Sequence, residues 1–235
     1  VALIAGTSSC LMGLSGKPRY VSGIWGPYFG AGLPGLWMYE GGQSATGALL
    51  DHIVRVHAAG GEPNAAMHRE ITRRIFALRE AEGAAFAADL HVLPDFHGNR
   101  SPLADSHARG VVSGLTLDAS FDGLCRLYFR TAVGVALGVR HILDHLNANG
   151  HRIDTLQVTG GHLNNPLLME LYADALGCPV NEATGDAMLL GTAMAAASAA
   201  RLFPDLTSAC RAMRPATRKR LPNPALKEGY DREYR

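Results

Sequence analysis

The stretch Thr155-Leu-Gln-Val-Thr159, running on into Gly160-Gly161-His162-Leu163-Asn164-Asn165-Pro166, decides how this chain folds. Thr155 to Thr159 mixes β-branched and apolar residues and leads into a turn, which predicts a short strand. Gly160-Gly161 opens backbone angles closed to other residues and lets a ligand come close to the main chain. Asn164 or Asn165 can cap a helix with Pro166 at its first position, Leu167, Leu168, Leu171 and Ala175 inside it, and Gly177 just past its end. A strand, a glycine turn and a capped helix gather free N–H groups and a positive helix end at one point, which suits phosphate or base acceptors. The same residues also build an ordinary βα turn, so this stretch alone leaves both readings open.

Downstream, Pro179-Val180-Asn181 reads as another short strand. Asp186 to Ala200 reads as an Ala-rich helix in which Gly191 and its small neighbours imply tight packing. The basic residues Arg218, Lys219 and Arg220 read as part of a solvated linker. Upstream, Val1 to Ala5 is expected as a buried strand, and Gly6-Thr7-Ser8-Ser9 as a turn into a second strand, Cys10 to Leu14. Hydroxyl and N–H groups packed into such a turn can hold phosphate oxygens, although Gly and Ser also form plain turns. Gly16 to Gly42 is rich in Gly, Pro and aromatic residues and is expected to be a long functional loop. Glu40, beside two glycines, reads either as a substrate-facing carboxylate or as a solvated acid before a helix. Ser44 is expected to cap that helix, which carries Ala45, Leu49, Ile53 and Val56 at helical spacing.

Pro63 to Glu82 is an amphipathic pattern with Met67, Ile71, Ile75 and Leu78 on its apolar side. Asp122 to Asn147 is the longest helical pattern, and Gly134 and Gly138 within it cost about 1 kcal/mol each against Ala. Their spacing lets another backbone pack closely. His141 and His145 stand four apart on this helix, but with Arg140 and Asp144 alongside and no further ligands they read as a solvated surface rather than a metal pair.

Composition narrows the classes. With 235 residues and 47% hydrophobic content there is material for a substantial core, while 18% charged residues suggests a face normally covered. The 22 basic and 21 acidic residues give no electrostatic case for nucleic acid or membrane as partner. Cys10, Cys125, Cys178 and Cys210 are widely spaced and read as reduced thiols of a cytoplasmic protein. The apolar run Ala187 to Ala200 is too short to span a bilayer. Opening on Val1 inside an apolar run and closing on the start of a helix at Tyr230, the chain reads as a piece of a longer protein.

Taken together, several segments resemble the FGGY carbohydrate kinases, within the actin-like ATPase superfamily. They are Gly6-Thr7-Ser8, Pro34-Gly35-Leu36-Trp37, Glu40-Gly41-Gly42-Gln43-Ser44, Gly98-Asn99-Arg100-Ser101-Pro102, Arg109-Gly110, Thr159-Gly160-Gly161 through Asn165, and Gly177-Cys178-Pro179-Val180. The order is preserved over nearly the whole chain. The wording around Gly23-Ile24-Trp25-Gly26-Pro27 is most similar to the ribulokinase branch.

The resemblance implies an α/β, ribonuclease-H-like (actin-like ATPase) domain with a mixed central sheet flanked by helices. Residues 1–213 would be the C-terminal kinase domain, and 214–235 a linker and the start of a truncated helix. It implies ATP and Mg2+ as cofactors and a pentulose as substrate, and it is compatible with a homodimer. Gly6, Thr7 and Ser8 would hold the β- and γ-phosphates, Gly160, Gly161 and Asn165 would line the adenine and ribose pocket, and Glu40 would reach the sugar. All three stretches would then converge on one cleft, with the two turns about 10–15 Å apart to grip opposite ends of an extended ATP. The resemblance places the family's catalytic aspartate upstream of the Gly-Thr-Ser turn and sugar contacts in an N-terminal sugar-binding domain, neither of which is in this sequence, so no catalytic residue is expected here and the fragment alone should be inactive. A non-catalytic nucleotide-binding or interaction domain of the same superfamily is the alternative.

Overall fold

The computed structural model describes residues 1–235, the side chain of Ala84 excepted. The chain opens with four antiparallel strands, β1 (Ala2–Ala5), β2 (Ser9–Ser15), β3 (Trp25–Phe29) and β4 (Trp37–Gln43). Helices α1 (Gly47–Val56) and α2 (Ala65–Glu82) follow, then a small hairpin of β5 (His91–Leu93) and β6 (Val111–Ser113). The helix α3 (Phe121–Ala148) leads through β7 (Leu156–Thr159) to α4 (Pro166–Leu176) and β8 (Val180–Ala183). Helices α5 (Ala187–Ala199) and α6 (Leu206–Ala212), strand β9 (Thr217–Arg220) and helix α7 (Lys227–Tyr234) complete the order.

Seven strands form one sheet in the order β3-β4-β2-β1-β7-β8-β9. It is mixed, because β7 lies parallel to both β1 and β8 while the other neighbours run antiparallel. Period-2 alternation decides which side is covered. Leu3, Ala5, Leu11, Leu156, Val158 and Val180 are fully buried and pack with Leu124, Val135 and Ile142 of α3 and Leu168 and Leu171 of α4. Each Leu, Val or Ile among them contributes about 1.5–3 kcal/mol on full burial. Gly134 is needed on α3 because a Cβ there would press on the Val92 carbonyl oxygen at 2.5 Å, so the backbone of β5 lies directly on the helix. At Gly138 the close neighbour is the Gln43 side chain, whose Nε2–H donates to the Val135 carbonyl at 2.9 Å.

Four expectations are corrected. Gly16 to Gly42 is not one long loop: β3 and most of β4 lie within it, their alternation hidden by glycines and Pro27. Helix α1 begins at Gly47 after Thr46 rather than at a Ser44 cap, and the Thr46 hydroxyl is spent elsewhere, on the Gly6 carbonyl. Helix α5 is not tightly packed within this chain: it buries none of its residues, Met188 and Leu189 are 70% and 69% exposed, and a Cβ on Gly191 would meet nothing. Arg218 to Arg220 are not linker but the edge strand β9, where Arg218 and Arg220 both bond the buried Glu182 of β8, the latter at 2.9 Å. The pairing survives because a buried carboxylate needs its charge and lone pairs satisfied. Beyond it, α7 is tied back through Glu233 to Arg130 and His91, and through Asp231 to Arg140 at 2.7 Å.

Candidate functional site

The decisive turn forms as its residues dictate. Gly160 has φ 95°, and a Cβ there would strike the Ala5 carbonyl oxygen at 2.5 Å, so glycine is the residue that fits. Asn165 caps α4, its Oδ1 accepting from the N–H groups of Leu167 (3.1 Å) and Leu168 (3.4 Å), with Pro166 at the first position and Gly177 closing the helix in the left-handed region.

Because β1 and β7 are parallel neighbours, with Ile4 opposite Thr159, the turns that follow them emerge side by side. A Cβ on Gly161 would lie 4.0 Å from the Gly6 Cα. The glycine ends of the two turns therefore abut. Adjacent strands are only about 4.8 Å apart, and this spacing sets the separation of their ends.

The Gly6 carbonyl accepts from the Gly47 N–H (2.9 Å), the Thr46 hydroxyl (3.1 Å) and His162 Nε2 (2.9 Å). The Thr7 carbonyl accepts from the N–H groups of Thr46 and Ala48, both at 3.0 Å. The positive end of α1 is thus used to neutralise the carbonyl side of the turn. Among the described residues the N–H groups of Thr7 and Ser8 have no partner, and both residues are exposed. A turn with its carbonyls tied down and its N–H groups free is an anion-binding concavity.

His162 is the residue that joins the two turns. It is buried, donates to Gly6 through Nε2 and accepts the Tyr172 hydroxyl at Nδ1 (2.9 Å). Burial pushes its pKa down to about 4, against the smaller opposing effect of the Gly6 carbonyl, so the ring is neutral and its tautomer is set by these two bonds.

Gly6, Thr7, Gly161 and Asn165 line one cavity of ≈ 1010 Å³ between the turns, α1 and α2. That size falls at the upper end of ordinary ligand pockets. On its wall Asn165 Nδ2 donates to the Tyr128 hydroxyl (3.2 Å), Tyr128 meets His68 Nδ1 (2.9 Å), and His68 Nε2 meets Asp51 (2.9 Å). An amide N–H only donates and a carboxylate only accepts, so for a neutral imidazole the chain has one sense, from Asn165 to Asp51. Burial, with Asp51 adding to it, holds the Tyr128 hydroxyl well above its ordinary pKa.

Ser8 and Gly160 flank this cavity in sequence without lining it, and Glu40 belongs to a different place. On the β2–β4 ladder Ser9 pairs with Gln43 at the turn, while Glu40 pairs with Met12, three residues further along. At about 3.3 Å per residue that sets Glu40 about 10 Å back from the turn. There it is ion-paired with Arg100 and accepts the Cys10 thiol at 2.9 Å. Gln43 points the other way, onto α3. Thr7, Gly161 and Asn165 therefore line one cavity, and Glu40 lies about 10 Å from its turn along β4.

Among the described residues no three metal-ligating side chains gather at one point. His145 bonds the Ser22 carbonyl at 2.8 Å and His141 packs on Tyr234, so both rings are half-buried against protein. Among the described residues no helix is long and apolar enough to cross a membrane. Sequence reasoning missed His162, His68, Asp51 and Arg100 as site residues. His162 lies in plain view inside the glycine turn, whereas Tyr128 comes from the distant helix α3.

Residues 1–200 match the model of the C-terminal domain of the FGGY family of carbohydrate kinases. The chain is 45% identical over 243 aligned residues to an FGGY carbohydrate kinase domain-containing protein of Xenopus laevis, covering 100% of this chain and 44% of that protein. It is 33% identical to a D-ribulokinase of Saccharomyces cerevisiae, over 86% of this chain and 30% of that enzyme. The solved structure of a xylulose kinase from Rhodospirillum rubrum superposes with a TM-score of 0.76 at 26% identity, over 99% of this chain and 44% of that one. The chain thus spans less than half the length of these relatives, and its sheet and helices are those of the ribonuclease-H-like, actin-like ATPase fold.

Proposed function

The chain belongs to the FGGY family of carbohydrate kinases, and from that premise we propose that it is the nucleotide-binding half of an ATP-dependent kinase acting on a pentulose such as ribulose. The observation that carries the reading is the single cavity shared by the turn at Thr7 and the turn at Gly161 to Asn165. Its walls suit a nucleotide. A Cβ on Gly6 would meet nothing within 4 Å, and one on Gly161 only the Gly6 Cα, so both turns offer bare backbone. The N–H groups of Thr7 and Ser8 would receive the β- and γ-phosphates, with Gly161 and Asn165 on the ribose and base side and Gly160 shaping the turn behind them.

Bound ATP supplies the phosphoryl group, and Mg2+ neutralises phosphate charge. With no cluster of metal-ligating side chains among the described residues, the ion would come with the phosphates and their waters, its usual mode. What this chain contributes is positioning: α1 and His162 fix the turn, and the chain from Asn165 to Asp51 stiffens the far wall. Glu40 is the proposed sugar-facing carboxylate. The names of the yeast D-ribulokinase and of a ribulokinase from Mycolicibacterium smegmatis at 32% identity support a pentulose.

The test is an ATP-dependent phosphorylation assay on the full-length protein with D-ribulose, L-ribulose, ribitol and D-xylulose. Turnover of one of the ribuloses is expected, and none by the 235-residue polypeptide alone. Nucleotide binding without turnover of any polyol by the full-length protein would favour a non-catalytic domain instead.

A further inference from the structure

Glu40 stands on the sheet face turned away from α3. Its neighbour Tyr39 is buried, and a Cβ on Gly41 would press into Ile142 and Ile24, so the core lies on the other side. Arg100 reaches Glu40 from a turn that is pinned by paired backbone bonds between Asn99 and Asp105, both 2.8 Å, and by Asn99 Oδ1 accepting the Leu103 N–H. Its guanidinium lies 4.6 Å from the centre of the Trp25 ring, which is 50% exposed.

The ion pair is engaged at one corner. Arg100 Nη2 donates to Glu40 Oε1 and approaches the Cys10 sulfur at 3.7 Å. Among the described residues Nε and Nη1 of Arg100 and Oε2 of Glu40 have no protein partner, and none of them is sealed from solvent. A purely structural arginine–carboxylate pair gains most from the two-pronged geometry, which this one does not use. Instead the pair presents free donors next to a free acceptor over an aromatic surface. Two adjacent hydroxyls need that combination: one donates to the carboxylate while its neighbour accepts from the guanidinium.

We propose that Arg100 is a second sugar-contacting residue, which with Glu40 reads a vicinal diol of the acceptor while Trp25 supports its C–H face. This rests on the kinase reading and deepens it, since it makes the vicinal diol the selected feature. Arg100 is held in place by Asn99 and Trp25, so it is presented before substrate arrives and little ordering is needed on binding.

The experiment is steady-state kinetics of the full-length protein with D-ribulose and its 3-deoxy and 4-deoxy forms, comparing the unmodified protein with Arg100→Met and Arg100→Lys. Arg100→Met should raise KM for D-ribulose about 10- to 100-fold and shift KM for ATP less than about threefold, the scale of one lost charge-assisted hydrogen bond. Arg100→Lys, which keeps the charge but not the planar fork, should recover part of the loss. On one of the deoxy sugars the penalty of Arg100→Met should fall below about threefold, because residue and hydroxyl are then removed from the same contact. An equal penalty on all three sugars, or an unchanged KM with a lowered melting temperature, would make Arg100 a structural residue and overturn the proposal. If the unmodified protein phosphorylates none of the sugars, the kinase reading itself fails and takes this inference with it.

Discussion

Replacing His162 with Gln tests how the two turns are held together. A Gln amide can imitate the neutral ring, donating to the Gly6 carbonyl and accepting the Tyr172 hydroxyl, but it does not titrate. The folded pKa of His162 is lowered from 6.5 to about 4, so between these values the unfolded chain takes up a proton that the folded chain refuses. Stability from this group is fully present above about pH 6.5 and is lost progressively as pH falls toward 4. At ~1.4 kcal/mol per pH unit, the whole window is worth about 3 kcal/mol. His141 and His151 are also lowered by burial and act in the same direction, so the informative quantity is the difference between the two proteins. Urea denaturation followed by circular dichroism at pH 7.5, 6.5, 5.5 and 4.5 measures it. His162→Gln should lie within about 1 kcal/mol of the unmodified protein at pH 7.5 and lose about 2–3 kcal/mol less on acidification. Equal losses in the two proteins would refute the assignment of a buried, neutral His162. His162→Phe strands the fully buried Tyr172 hydroxyl and should cost about 1–3 kcal/mol at pH 7.5.

Four further substitutions have expected outcomes. Gly161→Val should weaken ATP binding by isothermal titration at least about tenfold with little change in melting temperature, since only the Gly6 Cα is near the added Cβ. Gly160→Val should instead lower stability, because its φ of 95° and the Ala5 carbonyl both oppose a side chain. The opposite ranking would mean that the cavity is not the nucleotide site. Glu40→Gln should raise KM for the sugar about 10- to 100-fold, the scale of a lost charge-assisted hydrogen bond, and leave KM for ATP nearly unchanged. A change confined to ATP would move Glu40 to the nucleotide side. Glu182→Ala should free β9, costing about 1–2 kcal/mol given the partly exposed arginines, and should speed tryptic cleavage at Arg218 to Arg220. Unchanged proteolysis would show that the strand holds by its backbone ladder alone.

Local sequence by itself determined the elements whose causes are local. Gly160, Asn165, Pro166 and Gly177 each have a backbone conformation or a cap that their own chemistry requires, so the strand, turn and helix from Leu156 to Leu176 were legible residue by residue. The order of motifs likewise carried the family, because spacing along the chain survives without coordinates. What the tertiary structure alone decided were the pairings between distant segments. That β1 and β7 are parallel neighbours placed the Gly6 and Gly161 turns in contact, 155 positions apart in sequence, and made His162 the link between them. The register of β2 on β4 moved Glu40 away from the turn and gave it Arg100, which no local pattern joins to it. The buried Glu182 likewise turned the basic stretch at Arg218 to Arg220 from an expected linker into a strand. Hydrogen bonds and ion pairs of this kind depend on which atoms meet in space, and that is set by sheet order and register, quantities no short stretch of sequence contains.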